Sequence, residues 1–382
     1  MHLLVDLDDC LVDTSRIKVY RGNPAGRAYA AANINQLDTR EVHPCLQEIV
    51  HGYARRGDVT VLTDSPADYA EAVLRKHGFP DVPIIGSADK PFPDPGRLPQ
   101  EPCIFIGDAA KDILTAHRFD QVSIGTAWGY STERKLQRAQ PQALIDDPED
   151  LEQTLIDIEA GRIQYVPFQL PNCQWLNGQQ QATEEVQIVP VADYIPPSKG
   201  KDYWSGDILN FKDMADLKKS ELATDWIHYF HNGQIKRAIS YEWLMNKMVS
   251  AVESIVKQVD GTSLVVAAPN RMPAFCYKSD PNKLLVSELN NRLDGLVVPD
   301  NRIVRRVRPK PKSQKGGRTP AWQFATLGYF PQAFADCARA DNIIIFDDVT
   351  TSSTQIDCIA SLMRACGINM PIYAVALGKT ID

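Results

Sequence analysis

The chain has 382 residues, 44% of them hydrophobic and 23% charged, with a net charge of -7. That composition suits a soluble globular protein of two ordinary domains, and the negative balance gives no bulk attraction to nucleic acid or to an anionic membrane. No run of about twenty apolar residues is present, and no secretory segment is expected. The eight cysteines are scattered with no C-x-x-C pair, which argues against a disulfide framework or a Cys-rich zinc site and fits a reducing cytoplasm.

His2 to Val5 predicts a short strand that leads into Asp6 and Asp8. Side chains alternate along a strand, so the two carboxylates are expected to point the same way. Such a pair suits a Mg²⁺ site with one oxygen nucleophile and one proton donor. An acidic loop without chemistry is the bland alternative. Residues 15–41 form an insertion with Arg16, Lys18, Arg21, Arg27 and Tyr29 as candidate phosphate contacts; a solvated basic face is the competing reading.

Pro44 to Gly57 reads as a helix, and Val59 to Leu62 as a strand leading to Thr63. Ser65-Pro66 opens a helix that runs to Gly78. Ile84-Ile85 is a short strand, followed by Lys90-Pro91. Cys103 to Ile106 is another strand, followed by Asp108 and Asp112 in GDAAKD, and Gly125 to Tyr130 reads GTAWGY.

This order of motifs resembles the haloacid-dehalogenase (HAD) superfamily of phosphohydrolases over roughly residues 1–160. The resemblance implies Asp6 as nucleophile, Asp8 as general acid/base, Thr63 as phosphoryl-binding hydroxyl and Lys90 as charge neutraliser. It implies Asp6, Asp8, Asp108 and Asp112 as the Mg²⁺ ligands, and the 15–41 insertion as a short cap. Cys10 departs from a usual Thr. Phosphoryl transfer needs positioning and charge neutralisation, which one Mg²⁺ and one Lys supply.

Asp147 to Ile158 reads as an acidic closing helix. Gln164 to Gln187 is rich in Gln, Asn and Pro, and residues 161–200 are expected to be a linker or irregular segment, with α/β patterning resuming from about Ile188 and the second domain over 201–382. There, Tyr241 to Gln258 reads as a helix and Ser263 to Ala267 as a strand that leads to Asn270 and Arg271. Arg302 to Arg318 is strongly basic. Ile343 to Phe346 predicts a buried strand with Asp347 and Asp348 at its end. A hydroxyl run, Thr350, Thr351, Ser352, Ser353 and Thr354, precedes a helix with Ile356, Ile359, Ala360 and Met363 at helical spacing. Backbone N–H groups of such a loop and the helix N-terminus face an anion.

This second pattern resembles the phosphoribosyl-diphosphate (PRPP) signature of type I phosphoribosyltransferases, and among them the ComF-like group. The resemblance implies Asp347 and Asp348 on the ribose hydroxyls and residues 350–354 on the 5′-phosphate. Asn270 and Arg271 take the pyrophosphate place, and Lys315, Gly316 and Arg318 belong to a flap over PRPP. Ser353 stands where Gly is common and Gln355 where Thr is common. The N-terminal four-Cys module of that group has no counterpart, since only Cys173 lies in its region.

The expectation is therefore an α/β chain of two domains: a HAD Rossmann-like domain with a short cap, then a phosphoribosyltransferase-like parallel-sheet domain. The partners expected are a phosphorylated, nucleotide-like small molecule and PRPP, with Mg²⁺ as cofactor and no membrane. Oligomeric state is open. A phosphoribosyl product stripped of its phosphate would be nucleoside-like. The alternative is a phosphatase guided by a non-catalytic second domain that senses PRPP or a nucleotide, or binds nucleic acid through its basic stretch.

Overall fold

A computed structural model describes residues 1–382 except 22–23, 196–202, 218–225, 232–233, 277–279, 294–296, 301–302, 313–316, 336–339 and 381–382. The chain divides into two compact units. One comprises Met1–Gln169 with His228–Arg237; the other comprises Leu170–Ile227 with Ala238–Asp382.

Among the described residues the first unit holds a parallel six-stranded sheet. Its order is Ile84–Ile85, Val59–Leu62, His2–Val5, Cys103–Gly107, Val122–Thr126, Ala143–Ile145. Strands of this kind are covered on both faces, which is why His2–Val5, Val59–Leu62 and Cys103–Gly107 are apolar or buried throughout. The chain order reverses direction at His2–Val5, whose neighbours are Val59–Leu62 and Cys103–Gly107. In open parallel sheets the crevice beyond the carboxyl ends at such a switch point is where ligands bind. Asp6 emerges there.

The strand ends at Val5, and Asp9 follows with a φ of 65°. Asp6 and Asp8 thus lie in a turn and not on a continuing strand, so the expected same-side alternation does not apply. The 15–41 insertion stands on a two-stranded stem, Val12–Asp13 paired antiparallel with Arg40–Glu41. Helices Lys18–Arg21 and Pro24–Asn33 lie between. They approach closely because Gly26 lacks a side chain: a Cβ there would sit 2.2 Å from the Tyr20 carbonyl oxygen.

The second unit holds a parallel five-stranded sheet among the described residues. Its order is Val297–Asp300, Ser263–Ala267, Asn342–Thr350, Ile372–Thr380, Ile188–Tyr194. Ile188–Tyr194 falls in the 161–200 stretch expected as a linker, yet it is an edge strand paired with Ile372–Thr380. Its proline and half-buried pattern suit an edge and weaken its signal in sequence. Alternate residues of the central strands enter two cores. Ile343 and Ile345 pack with the helix Thr354–Ala365. Ile344 and Phe346 pack with the helices Tyr241–Val256 and Pro281–Arg292. No helix of the described residues is long and apolar enough to cross a membrane.

Candidate active site

In the first unit, Asp6 leaves the central strand with its N–H bonded to the Ile106 carbonyl at 2.9 Å. Lys90 Nζ lies 2.8 Å from Asp6 Oδ1, contacts the Asp112 carboxylate, and donates to the Leu62 carbonyl at 3.2 Å. Only 1% of the Lys90 side chain is exposed. Asp108 follows the strand Cys103–Gly107, and Asp112 sits in the first turn of the helix Ala110–Arg118. Carboxylate oxygens of Asp6, Asp108 and Asp112 lie within 4.8 Å of one another, all buried.

Two glycines make room for this cluster. A Cβ on Gly129 would lie 2.3 Å from Asp108 Oδ2, and one on Gly107 would lie 2.5 Å from the Asp112 side chain. The Tyr130 N–H, next in sequence to Gly129, donates to Asp108 Oδ2 at 2.5 Å. Asp108 Oδ1 is buried without a hydrogen-bond partner among the described residues. Burial pushes Asp6 up to about 7 against the pull of Lys90, with Asp112 adding to the rise. Burial, then Asp6 and Asp112, drive Asp108 well above the usual carboxylate range. Three crowded buried carboxylates, one with an orphaned oxygen, fit a hard divalent cation such as Mg²⁺.

Asp8 is placed differently. Its Oδ1 accepts from Thr14 Oγ1 and from the Tyr69 hydroxyl, each at 2.9 Å, and its Oδ2 accepts from Ser65 Oγ at 2.6 Å. Arg21 Nε lies 3.6 Å from Asp8 Oδ1. Burial would raise Asp8, but the Arg21 guanidinium and the three hydroxyls outweigh it and hold the carboxyl below its ordinary value. Sequence reasoning grouped Asp8 with the metal ligands. Its carboxylate lies outside the cluster of three and is held instead by these hydroxyls and Arg21.

Thr63 is buried, and its Oγ1 accepts the Ser65 N–H at 3.1 Å, which leaves its own proton to donate. Asp64 Oδ1 accepts the Lys90 N–H at 2.8 Å, and Lys111 Nζ lies 2.5 Å from Asp64 Oδ2. Lys111 and Lys90 outweigh burial and keep Asp64 well below the carboxylate range. Of the insertion's candidates, Arg21 reaches the site, donating to Thr14 Oγ1 at 2.6 Å and lying 3.4 Å from Asp9 Oδ2. Arg16 pairs with Asp38, Arg27 Nε donates to the Arg21 carbonyl, and Lys18 Nζ lies 5.5 Å from the Tyr130 ring centre.

The second unit has a small open cleft of about 80 Å³. Asp347, Thr350, Thr351, Ser352 and Thr354 line it, and Arg318 and Lys310 face them. The strand here runs to Thr350, four residues beyond the expected end at Phe346, because Ile372–Thr380 pairs with it as far as Lys379. Asp347 and Asp348 therefore sit on successive strand positions and point to opposite faces. Asp347 lines the cleft; Asp348 is not among its lining residues. Ser353 serves as N-cap residue of the helix Thr354–Ala365, at the position expected for a Gly of the loop. Asn270 and Arg271 contribute carbonyls, to Arg306 Nε at 3.0 Å and to the Lys310 N–H at 2.9 Å. Lys315 and Gly316 of the expected flap lie outside the described residues. Gly317 is described, and a Cβ on it would meet the Pro311 carbonyl oxygen at 2.1 Å.

No family model matches the chain. A phosphoglycolate phosphatase of Haemophilus influenzae is 26% identical over 127 residues, which is 30% of this chain and 57% of that protein. One of Mannheimia succiniciproducens is 25% identical over 134 residues, covering 31% and 58%. The N-terminal part of the chain is therefore similar in sequence to phosphoglycolate phosphatases. The chain matches little more than half the length of these relatives. Among solved structures, a hydrolase from Pseudomonas syringae is 18% identical, with 41% of this chain and 99% of that one covered at a TM-score of 0.32. A haloacid dehalogenase-like hydrolase from Streptococcus pneumoniae is 17% identical, covering 40% and 97% at 0.30.

Several groups of the first unit escape sequence reasoning. Ser65, Tyr69 and Thr14 meet Asp8 across separations of 57, 61 and 6 residues. Ser65 carried a signal only as a helix cap. Lys111 stood in the GDAAKD motif without an assigned role. Gly129 was inside the GTAWGY stretch, but its clearance for Asp108 is a property of the packed site.

Proposed function

We propose that the HAD-like unit is a Mg²⁺-dependent phosphatase working through an aspartyl-phosphate on Asp6. The observation that carries this reading is Lys90, buried between Asp6 and Asp112 beside the three-carboxylate cluster. Asp6, Asp108 and Asp112 would hold Mg²⁺, which when bound offsets the repulsion between the carboxylates and an anionic ester. Lys90 holds the Asp6 oxygen in place and adds its charge to that of the entering phosphoryl group. The Thr63 hydroxyl donates to a phosphoryl oxygen.

Asp6 attacks phosphorus, the bond to the ester oxygen breaks, and the departing oxygen takes the proton carried by Asp8. Asp8 then accepts a proton from water as that water attacks phosphorus, releasing phosphate and restoring Asp6. Arg21 opposes the protonated form of Asp8, so an anionic substrate group that draws Arg21 away would favour the first step. The relatives are phosphoglycolate phosphatases, so phosphoglycolate joins nucleoside monophosphates as a first substrate to test. Phosphate release from this panel with Mg²⁺ is the direct assay; no release from any member, nor from p-nitrophenyl phosphate, would sink the reading.

For the second unit we infer PRPP binding followed by phosphoribosyl transfer to a nitrogenous base. Support comes from the cleft that places Asp347 and the hydroxyl run opposite Lys310 and Arg318. Asp347 takes the ribose hydroxyls, and Asp348, on the opposite face of the strand, does not join it; residues 350–354 take the 5′-phosphate; Arg271, Lys310 and Arg318 take the pyrophosphate. The bond from the anomeric carbon to pyrophosphate oxygen breaks, and a base nitrogen forms the new bond. Incubation with PRPP, Mg²⁺ and a panel of bases tests this by pyrophosphate release. Binding of PRPP without release would instead support a sensor. The nucleic-acid alternative is weakened because two basic side chains of the stretch, Arg306 and Lys310, are buried within the unit. Arg305 and the exposed Arg308 lie over the rings of Phe330 and Trp175.

A further inference from the structure

We propose that Gln355, braced by Arg306, is a positioning residue that fixes the separation of two loops, and so selects a ligand with phosphate groups at both ends. The inference rests on the PRPP reading of the second unit. One loop, Ala268–Arg271, follows the strand Ser263–Ala267; the other, residues 350–354, follows the neighbouring strand Asn342–Thr350. Gln355 is the second residue of the helix after the hydroxyl run. Its side chain turns back across the gap and donates from Nε2 to the Pro269 carbonyl at 3.0 Å.

The other end of the same amide accepts from Arg306 Nη2 at 3.2 Å. Arg306 is 3% exposed and also donates from Nε to the Asn270 carbonyl at 3.0 Å. Further contacts, to Thr326 Oγ1 at 2.6 Å and Gln323 Oε1 at 2.9 Å, anchor the guanidinium to the segment that follows the basic stretch. Both loops are thus held by one planar fork and one amide.

The amide's orientation follows from its partners. Nε2 faces a carbonyl oxygen and Oε1 faces a guanidinium, and the reverse would oppose like groups at both ends. A Thr at this position, which the family pattern favours, lacks both the reach and the paired donor and acceptor. Gln355 thereby takes on a task of its own: the hydroxyl run forfeits one hydroxyl, and the two loops gain a direct tie. A ligand that engages both loops profits from their fixed separation, because its second end binds as an intramolecular event. A ligand that engages one loop does not.

The test is calorimetric titration of PRPP, pyrophosphate and ribose 5-phosphate, each with Mg²⁺, into the full chain and into Gln355→Met. The expected result is a loss of about tenfold for PRPP and less than about threefold for each single-ended ligand. Gln355→Glu keeps the acceptor for Arg306 and should recover part of the loss. Gln355 is only half-buried, and Gln355→Thr stands in if the Met variant fails to fold. Uniform weakening of all three ligands, or unchanged PRPP affinity, would overturn the inference while leaving PRPP binding intact. A wild-type chain that binds none of them would remove the PRPP reading and this inference with it.

Discussion

Lys90 Nζ sits 2.8 Å from Asp6 Oδ1 and also meets the Asp112 carboxylate, with 1% of the lysine side chain exposed. Removing one partner of a buried ion pair leaves an uncompensated charge, at a cost of about 3–5 kcal/mol. Lys90→Met should lower stability by that order in chemical denaturation without metal. Added Mg²⁺ should return part of it, since the cation offsets the same carboxylates. Wild-type stability in the variant would contradict the charge balance described for the site.

Gly129 clears the Asp108 side chain. Gly129→Ala places a Cβ where Asp108 Oδ2, Asp108 Cβ and the Asp9 carbonyl oxygen now lie, at 2.3, 2.4 and 2.5 Å. Overpacking of this kind costs about 1–3 kcal/mol, and here the group displaced is a candidate metal ligand. The expected outcome is weaker Mg²⁺ binding by calorimetry, together with a lower melting temperature. Unaltered Mg²⁺ affinity would show that Asp108 tolerates displacement.

The motifs of the first unit were legible because short apolar strands each end in a candidate site residue. Asp6, Thr63 and Asp108 needed only that pattern. The surroundings of Asp8 were not legible, because Ser65, Tyr69 and Arg21 come from a turn, a helix and the insertion. In the second unit the strand, hydroxyl run and helix were readable from their apolar spacing. The length of Asn342–Thr350 was not, since pairing with Ile372–Thr380 sets it and thereby separates Asp347 from Asp348. Gln355 looked like a departure from a pattern; its partners, Pro269 and Arg306, lie 86 and 49 residues away.

The two acidic neighbours should differ in function. Asp347→Ala removes a carboxylate lining the cleft, whereas Asp348→Ala removes one that is not among its lining residues. Titration with PRPP and Mg²⁺ should find the larger loss in Asp347→Ala, by about tenfold. Equal losses would show that both carboxylates reach the ligand.

Lys310 supplies a pH dependence. Burial, together with Arg306, lowers its ammonium to about 8. An anionic ligand favours the charged form, so PRPP affinity should be full below that value and fall as pH rises through it. Stability of the unliganded chain should carry the opposite sign. The unfolded lysine retains its proton to higher pH, so this group's contribution rises from about pH 8 toward its ordinary value. Titrations at pH 7 and pH 9 with Lys310→Met as control would check the binding effect; no change between them would count against Lys310 as a ligand.

The central claim is that Asp6 is the phosphatase nucleophile. Phosphate release from p-nitrophenyl phosphate with Mg²⁺, compared between the wild-type chain and Asp6→Asn, tests it most directly. The account predicts a fall of at least about a thousandfold, with the folded state retained. Turnover undiminished in Asp6→Asn would contradict it.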